Sequence, residues 1–557
     1  MLNPTRVART RWLLPSVLPA ALLMPLLALR HLRVIYTSDS AAQQSIVRTW
    51  LDVGHGITSV PPDTWALKVP LYLVLEKLPL SPMDRMLAAV EVLGGVTFLL
   101  LGWACWKLAG GAGTPVRWYE VAVPLAWLAT LGGGIGSNRM LPNYRNIELG
   151  LCFALLAGVA GYLRAHRTPG PALRSRTLPA LASRAWAGRR TLALGTGAAL
   201  LLALLWFDDP YFELLVGAPL AVAAPAWFLF RERDRRLLHL TVILATSAVI
   251  TDLLRAIAER AGIQFAATGQ TLALSPATIS RSLGLLIPGL SIQLGLNHRP
   301  GDGAAVLLEH ILLGAGFLMM LLTTLLLARH GWRQRQFVLT FLAAHWPLVV
   351  GGYLVSGLTR DSSASRYLIL AVCDVVVATA VMLPELRIRR RPAAGLLLAL
   401  FTFGTLVNCG TSAASAINAA TRPSPGLPHQ RAVVRAVQRA VAEHGAVKGY
   451  APYWDANIIS YLAGERTTAA EIICQNGRLR TRQWLSDTAR LTRPAGAVFV
   501  IWDPQQPSLA GCPASARDAQ LGPPLAVYPL TPTAVTVPGG GVDSVLVYPA
   551  DIEADLR

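Results

Sequence analysis

Leu67-Lys68-Val69-Pro70-Leu71-Tyr72-Leu73-Val74-Leu75-Glu76-Lys77-Leu78-Pro79-Leu80 is the stretch whose reading settles the architecture. It is apolar enough to suggest a membrane crossing. It falls short of the roughly 20 apolar residues that a helix needs to span the hydrocarbon core. It also carries Lys68, Glu76 and Lys77, with Pro70 and Pro79 near its ends. We read it as a short helix on the membrane surface. The reading matters because one more span would invert every loop that follows.

Outward from this segment the chain is a series of longer apolar blocks. They cover approximately residues 13–34, 86–106, 118–135, 147–163, 191–207, 211–230, 237–254, 304–328, 337–358, 367–383 and 393–409, which makes eleven spans. The first block follows Arg6, Arg9 and Arg11, which places the N-terminus in the cytoplasm. A cleaved signal peptide is the alternative for this block. Its length, and the Arg30, His31 and Arg33 that follow without a small-residue cleavage site, argue against that. Four arginine groups test the count. They are Arg164, Arg167, Arg174, Arg176, Arg184, Arg189 and Arg190; Arg231, Arg233, Arg235 and Arg236; Arg329, Arg333 and Arg335; and Arg387, Arg389, Arg390 and Arg391. Eleven alternating spans from a cytoplasmic start put all four inside, as the positive-inside rule requires.

Composition agrees. The 557 residues are 53% hydrophobic and 15% charged, with 50 Lys+Arg against 31 Asp+Glu, a net charge of +19. The pI is near 10.3 and the mean hydropathy +0.45. The charge alone fits a nucleic-acid binder, but the unbroken apolar blocks exclude one, along with intrinsic disorder and a single soluble domain. The expected fold class is an all-α polytopic membrane protein with a C-terminal extracytoplasmic α/β domain. The expected division is a transmembrane domain over 1–410 with a large outer loop at 35–84, a linker at 411–429, and the outer domain at 430–557.

In that last region the Pro-rich stretch 421–428 reads as linker. Residues 430–444 have helical spacing, with Val433, Val434, Val437 and Val441 on one face and Gly445 as a stop. Residues 447–450, 471–474, 497–502 and 544–548 read as strands, and 457–462 as a helix. Cys474 and Cys512 fall in this outer domain, where an oxidising environment permits a disulfide. The cysteines at 105, 152, 373 and 409 read as packing residues, and no zinc spacing occurs.

The polar residues of the outer segments are the candidates for chemistry. Asp39 lies just beyond the first span, before a stretch over 41–53 suited to the membrane surface through Ile46, Val47, Trp50 and Leu51. Asp63, Lys68 and Pro70 follow, then Arg85 at the start of the second span. This order resembles the GT-C superfamily of integral-membrane glycosyltransferases, most closely the branch of aminoarabinose transferases and protein mannosyltransferases. Asp39 matches that branch's acidic residue, Lys68-Val69-Pro70-Leu71 its Lys-Pro element, and Arg85 its later arginine. Val69 replaces the usual first proline, and Ser40 stands where many members have a second acid. The resemblance implies a polyprenyl-phosphate sugar as donor and a glycan, lipid or protein acceptor at the outer face of the plasma or inner membrane.

That reaction makes definite demands. A carboxylate takes the acceptor's proton, and Asp39 is the candidate base. Cations hold the departing phosphate, and Lys68, Arg139, Arg145, Arg360 and Arg366 are candidates on outer segments, where topology does not explain them. Acceptor or sugar contacts are candidates at Asp63, Glu148, Asp208, Asp209, Tyr453 and Trp454. Glu148, an acid in a span, has a functional reading and a structural one as partner of Arg145. Asp208 and Asp209 suit a sugar or metal contact, or a helix cap beside Pro210. Arg360 and Arg366 have an alternative in pairing with Asp361. Asp374, deep in a span, reads as a structural partner. The stretch 449–457 reads as carbohydrate contact, or as a strand-to-helix turn with Asp455 as cap. No metal site or nucleic-acid partner is expected, and the sequence does not require a divalent metal. A flippase for lipid-linked sugars and a non-catalytic envelope assembly factor are the competing readings; no inverted repeat favours the first.

Overall fold

The structure is a computed structural model. It describes residues 13, 15–19, 21, 38–53, 58–60, 66–110, 114–130, 146–165, 195–265, 273–294, 296, 304–357, 359, 368–421, 426–464, 466–482, 496–531 and 542–556. In chain order the elements are α1 (Ser38–Val53), β1 (Thr58–Val60), α2 (Val69–Glu76), α3 (Pro82–Gly110), α4 (Trp118–Thr130), α5 (Asn146–Ala165), α6 (Gly195–Asp208), α7 (Pro210–Phe230, with a π-helical turn at Glu213–Gly217) and α8 (Arg235–Arg260). There follow β2 (Ile263–Phe265), α9 (Pro276–Leu294), α10 (Ala304–Arg333), α11 (Phe337–Leu354), α12 (Ile369–Arg389), α13 (Arg391–Thr421), α14 (Gly426–His444), β3 (Lys448–Ala451), α15 (Tyr453–Leu462), β4 (Thr468–Gln475), β5 (Arg478–Arg482), β6 (Ala497–Trp502), α16 (Ala514–Leu521), β7 (Ala526–Pro529) and β8 (Ser544–Pro549).

The chain divides into two compact units. One comprises 1–27, 91–253 and 269–415; the other comprises 28–90, 254–268 and 416–557. The first is a helix bundle. Among the described residues eight helices are long and apolar enough to cross a membrane: the α3, α5, α7, α8, α10, α11, α12 and α13 segments. The chain is thus a multi-pass membrane protein. Two further apolar blocks form shorter described helices, α4 and α6. The block at 13–34 lies almost wholly outside the described residues. The segment 67–80 is no span: α2 has eight residues and stops where Glu76 and Lys77 begin a turn. Between the apolar blocks 237–254 and 304–328 lies the 19-residue helix α9, which the apolar pattern does not mark.

At the centre of the bundle is α12, buried from Ile369 through Leu386. Its run of Val, Ala and Thr offers a smooth surface against α4, α10 and α11. Asp374 on α12 meets His345 of α11 at 2.8 Å, and the other ring nitrogen of His345 reaches the Leu215 carbonyl at 2.7 Å. That carbonyl lies in the π turn of α7, where the shifted ladder leaves backbone acceptors for other donors. Asp374 is thus a structural partner, as expected.

Described arginines of three of the groups gather at one end of the bundle. Arg164 donates to the Lys107 carbonyl near the end of α3, and Arg236 to the Leu163 carbonyl near the end of α5. Arg231 donates to the Trp332 carbonyl of α10 and lies 4.6 Å over its ring. Arg387 donates to the Pro115 carbonyl just before α4. Cations at helix C-termini complement the exposed carbonyls there.

The second unit holds a six-stranded sheet of order β5-β4-β3-β6-β8-β7. The strands β4, β3 and β6 are parallel, and β5, β8 and β7 join antiparallel. Alternation on β6 separates two cores. Ala497, Phe499 and Ile501 pack with α14, α15, Ala41 and Met86, whereas Val498, Val500 and Trp502 pack with Leu479, Leu521 and Tyr548. Gly449 is required by close approach, since a Cβ there would lie 2.3 Å from the Phe499 ring. Cys474 and Cys512 form a disulfide beside the second core, with Cα atoms 5.7 Å apart. A short parallel pair, β1 with β2, ties 58–60 to 263–265.

Candidate functional site

Asp39 is the second residue of α1, in the first turn, where the helix dipole favours a carboxylate. The rest of α1 packs on α15. Arg48 is the key contact. Its guanidinium lies 4.0 Å over the Tyr461 ring and donates to the Tyr461 carbonyl at 2.9 Å. Glu76, at the end of α2, accepts from Arg48 Nε at 3.3 Å, from Arg85 Nη1 at 2.6 Å and from the Tyr461 hydroxyl at 2.6 Å. Glu76 of the opening stretch, with Arg48 and Arg85, therefore has a structural purpose. They fasten α1, α2 and the start of α3 to the C-terminal α/β layer. Arg85, matched above to a family arginine, belongs to this clamp. Burial, with help from Glu76, pushes the Tyr461 phenol up.

Lys68 occupies the position just before α2, and its carbonyl accepts from the Tyr72 N–H at 3.1 Å. It is fully buried. An ammonium at such depth is costly to desolvate, which marks the position as one with a specific requirement. Asp39 and Lys68 thus sit in the same folded unit. Asp63, Arg139, Arg145, Arg360 and Arg366 lie outside the described residues.

Glu148, Asp208 and Asp209 belong to the helix bundle, and all three are fully buried. Glu148 is in the first turn of α5. Asp209 is the cap of α7: its side chain accepts from the Tyr211 N–H at 3.0 Å, and Pro210 follows it. That assigns one member of the pair to capping and leaves Asp208, the last residue of α6, for another purpose.

An apolar cavity of about 1020 Å³ lies between α5, α6, α7 and α8. Its lining includes Cys152, one turn beyond Glu148, and Trp206 and Phe212 on either side of the aspartate pair. Gly158 and Gly161 open one wall, and a Cβ at either would meet nothing within 4 Å. At the arginine-bearing end Tyr162 and His239 close it, 3.3 Å apart. Its lining runs along α5 from Cys152 to Tyr162; Glu148 lies one turn before Cys152 and Asp208 just after Trp206 in the chain. It suits a long apolar chain.

In the second unit Tyr453 and Trp454 open α15. The cap of that helix is Pro452 with no side-chain bond, so Asp455 is not the cap. Asp455 is instead buried in the first turn, and its Oδ2 has no hydrogen-bond partner among the described residues. Asp503, at the end of β6, accepts from the Gln505 N–H and from Gln506 Nε2, both at 3.1 Å. Burial first, and Asp503 second, push Asp455 up to about 8. Asp503 is also raised, mainly by burial. Both acids follow the carboxyl ends of β3 and β6, adjacent parallel strands whose connections leave on opposite sides. That is the switch point at which open α/β sheets place ligands. Asp503 carried no motif; the signal that finds it is an acid directly after a buried, uninterrupted apolar strand.

Among the described residues no group of three or more His, Cys, Asp or Glu side chains is placed to hold a metal ion. No family model and no curated protein matches the sequence.

Proposed function

We propose that this protein is a GT-C-like membrane glycosyltransferase that transfers a sugar from a polyprenyl-phosphate carrier to a cell-envelope acceptor. The observation that carries the reading is the apolar cavity between α5, α6, α7 and α8, with the buried carboxylates Glu148 and Asp208 on the same helices, one turn before Cys152 and just after Trp206 of its lining. A carrier's isoprenoid tail needs such a chamber, and its polar head needs acids and cations at the mouth. In the reaction the bond between the anomeric carbon and the phosphate oxygen breaks. A bond from that carbon to the acceptor oxygen forms. The acceptor's proton passes to Asp39, and the carrier leaves as polyprenyl phosphate. Lys68, with Arg139, Arg145, Arg360 and Arg366, would hold the leaving phosphate. Asp63, Glu148, Asp208, Asp209, Tyr453 and Trp454 would contact sugar or acceptor. The Cys474–Cys512 disulfide supports placing the α/β domain on the oxidising side of the plasma or inner membrane.

The reading is tested by separating carrier binding from turnover. Gly158→Phe fills the cavity and should weaken binding of a polyprenyl phosphate by at least about tenfold, since an aromatic group then occupies tail space. Unchanged binding in that variant would remove the cavity from the account.

A further inference from the structure

A second cavity, of about 410 Å³, lies at the arginine-bearing end of the helix bundle. It is lined by Arg117, Tyr119 and Glu120 at the start of α4, Leu383 and Arg387 late in α12, and Arg391, Ala394, Gly395 and Leu398 at the start of α13. Glu120 is its one acid and is already engaged: one oxygen accepts from the Arg117 backbone N–H at 2.7 Å and the other from Arg387. Arg387 also donates to the Pro115 carbonyl at 2.9 Å. The Arg117 guanidinium donates to the Tyr119 hydroxyl at 2.9 Å and has no carboxylate bonded to it among the described residues. Arg391 has no ion-pair partner among the described residues. Three arginines against one carboxylate leave the chamber with an excess of two positive charges.

The walls and surroundings are apolar. Leu383 and Leu398 line the chamber, Trp118 is exposed beside its mouth, and Ile388 and Leu396 are exposed on the flanking helices. Exposed Trp with Tyr at a span's end marks the level of the lipid headgroups. Gly395 keeps the chamber open, since a Cβ there would meet nothing within 4 Å.

We propose that this chamber binds the phosphodiester headgroup of an anionic phospholipid in the leaflet at the arginine-bearing end. Arg117 and Arg391 hold the phosphate. Arg387, fixed by Glu120, shapes the chamber, and the acyl chains lie along the outer apolar face of α13, where Leu396, Phe403 and Leu406 are exposed. The proposal does not depend on the transferase reading, which rests on other residues. Delocalised arginine forks match phosphate oxygens better than a point charge does.

The test is lipid retention by the full chain in detergent, read by native mass spectrometry and thermal unfolding. The additions are phosphatidylglycerol, phosphatidylcholine and inorganic phosphate in separate arms. Phosphatidylglycerol should be retained and should raise the Tm, in a salt-sensitive manner, and phosphatidylcholine should not. The pair R117Q/R391Q should lower affinity by roughly tenfold or more. Gly395→Leu, which keeps every charge and fills open space, should do the same and guards against a folding defect in the charge variant. Equal retention by Gly395→Leu, equal retention of phosphatidylcholine, or the full effect from inorganic phosphate alone would overturn the proposal.

Discussion

Glu76 accepts three donors at once, two of them arginines, and its side chain is 3% exposed. Removing a carboxylate from such a site leaves cationic groups buried without compensation. Glu76→Ala should therefore cost about 3–5 kcal/mol, measured by chemical or thermal unfolding of the soluble-side layer. A cost below about 1 kcal/mol would show that the clamp is solvated. Asp455 gives a pH prediction of definite sign. Its folded value, pushed up to about 8 mainly by burial and then by Asp503, lies above an ordinary 3.8. The proton is held more tightly in the folded state. Its stabilising contribution is complete below about pH 4, declines as pH rises by at most about 1.4 kcal/mol per unit, and levels off above about pH 8. Asp455→Asn should flatten this decline and raise the Tm at pH 8. An unchanged slope across pH 4–8 would place the titration elsewhere. In the sequence Asp455 read as a cap or a sugar contact, and its burial was invisible because a residue in the first helical turn faces core or solvent according to the sheet beneath it.

At the scale of elements, legibility followed the physical signal. The β6 and β8 runs, AVFVIW and SVLVYP, are buried on both faces and so read as continuous apolar strands. The β5 strand, RLRTR, is an edge strand whose single inward residue is Leu479, and three arginines conceal it. The α9 helix was missed because Ser, Thr, Arg and Pro288 break its apolar pattern. The Pro-rich stretch read as linker is penetrated from both sides, by α13 to Thr421 and by α14 from Gly426. Proline in a helix's first turn costs no hydrogen bond, so such a stretch opens α14 without breaking it. The segment 67–80 is a short helix, as read, because charge and proline are decisive in a span and ordinary in a short helix. It yields a labelling prediction. Leu78, after α2, and Leu525, before β7, are exposed residues of one folded unit. Cysteines placed at each should react with a membrane-impermeant thiol reagent from the same side of sealed vesicles. Reaction from opposite sides would mean that the segment 67–80 crosses the membrane after all.

The whole molecule divides its charge by purpose. In the bundle Arg164, Arg231 and Arg236 donate to helix-end carbonyls, and Arg387 to the carbonyl before α4. The clamp around Glu76 absorbs Arg48 and Arg85. The proposed chemistry draws on Asp39, the buried Lys68, and Glu148 and Asp208 on the helices around the long cavity. The candidate cations on segments outside the described residues were legible only as exceptions to the positive-inside rule. The most direct test of the account follows the carrier itself. Purified protein is reconstituted in vesicles with a polyprenyl-phosphate sugar and an envelope fraction as acceptor, and both lipid species are followed by mass spectrometry. Free polyprenyl phosphate should appear in step with glycosylated acceptor, and Asp39→Asn should reduce that rate by about 10²-fold or more at unchanged protein level and Tm. Passage of the intact lipid-linked sugar across the bilayer without cleavage, or full turnover by Asp39→Asn, would contradict it.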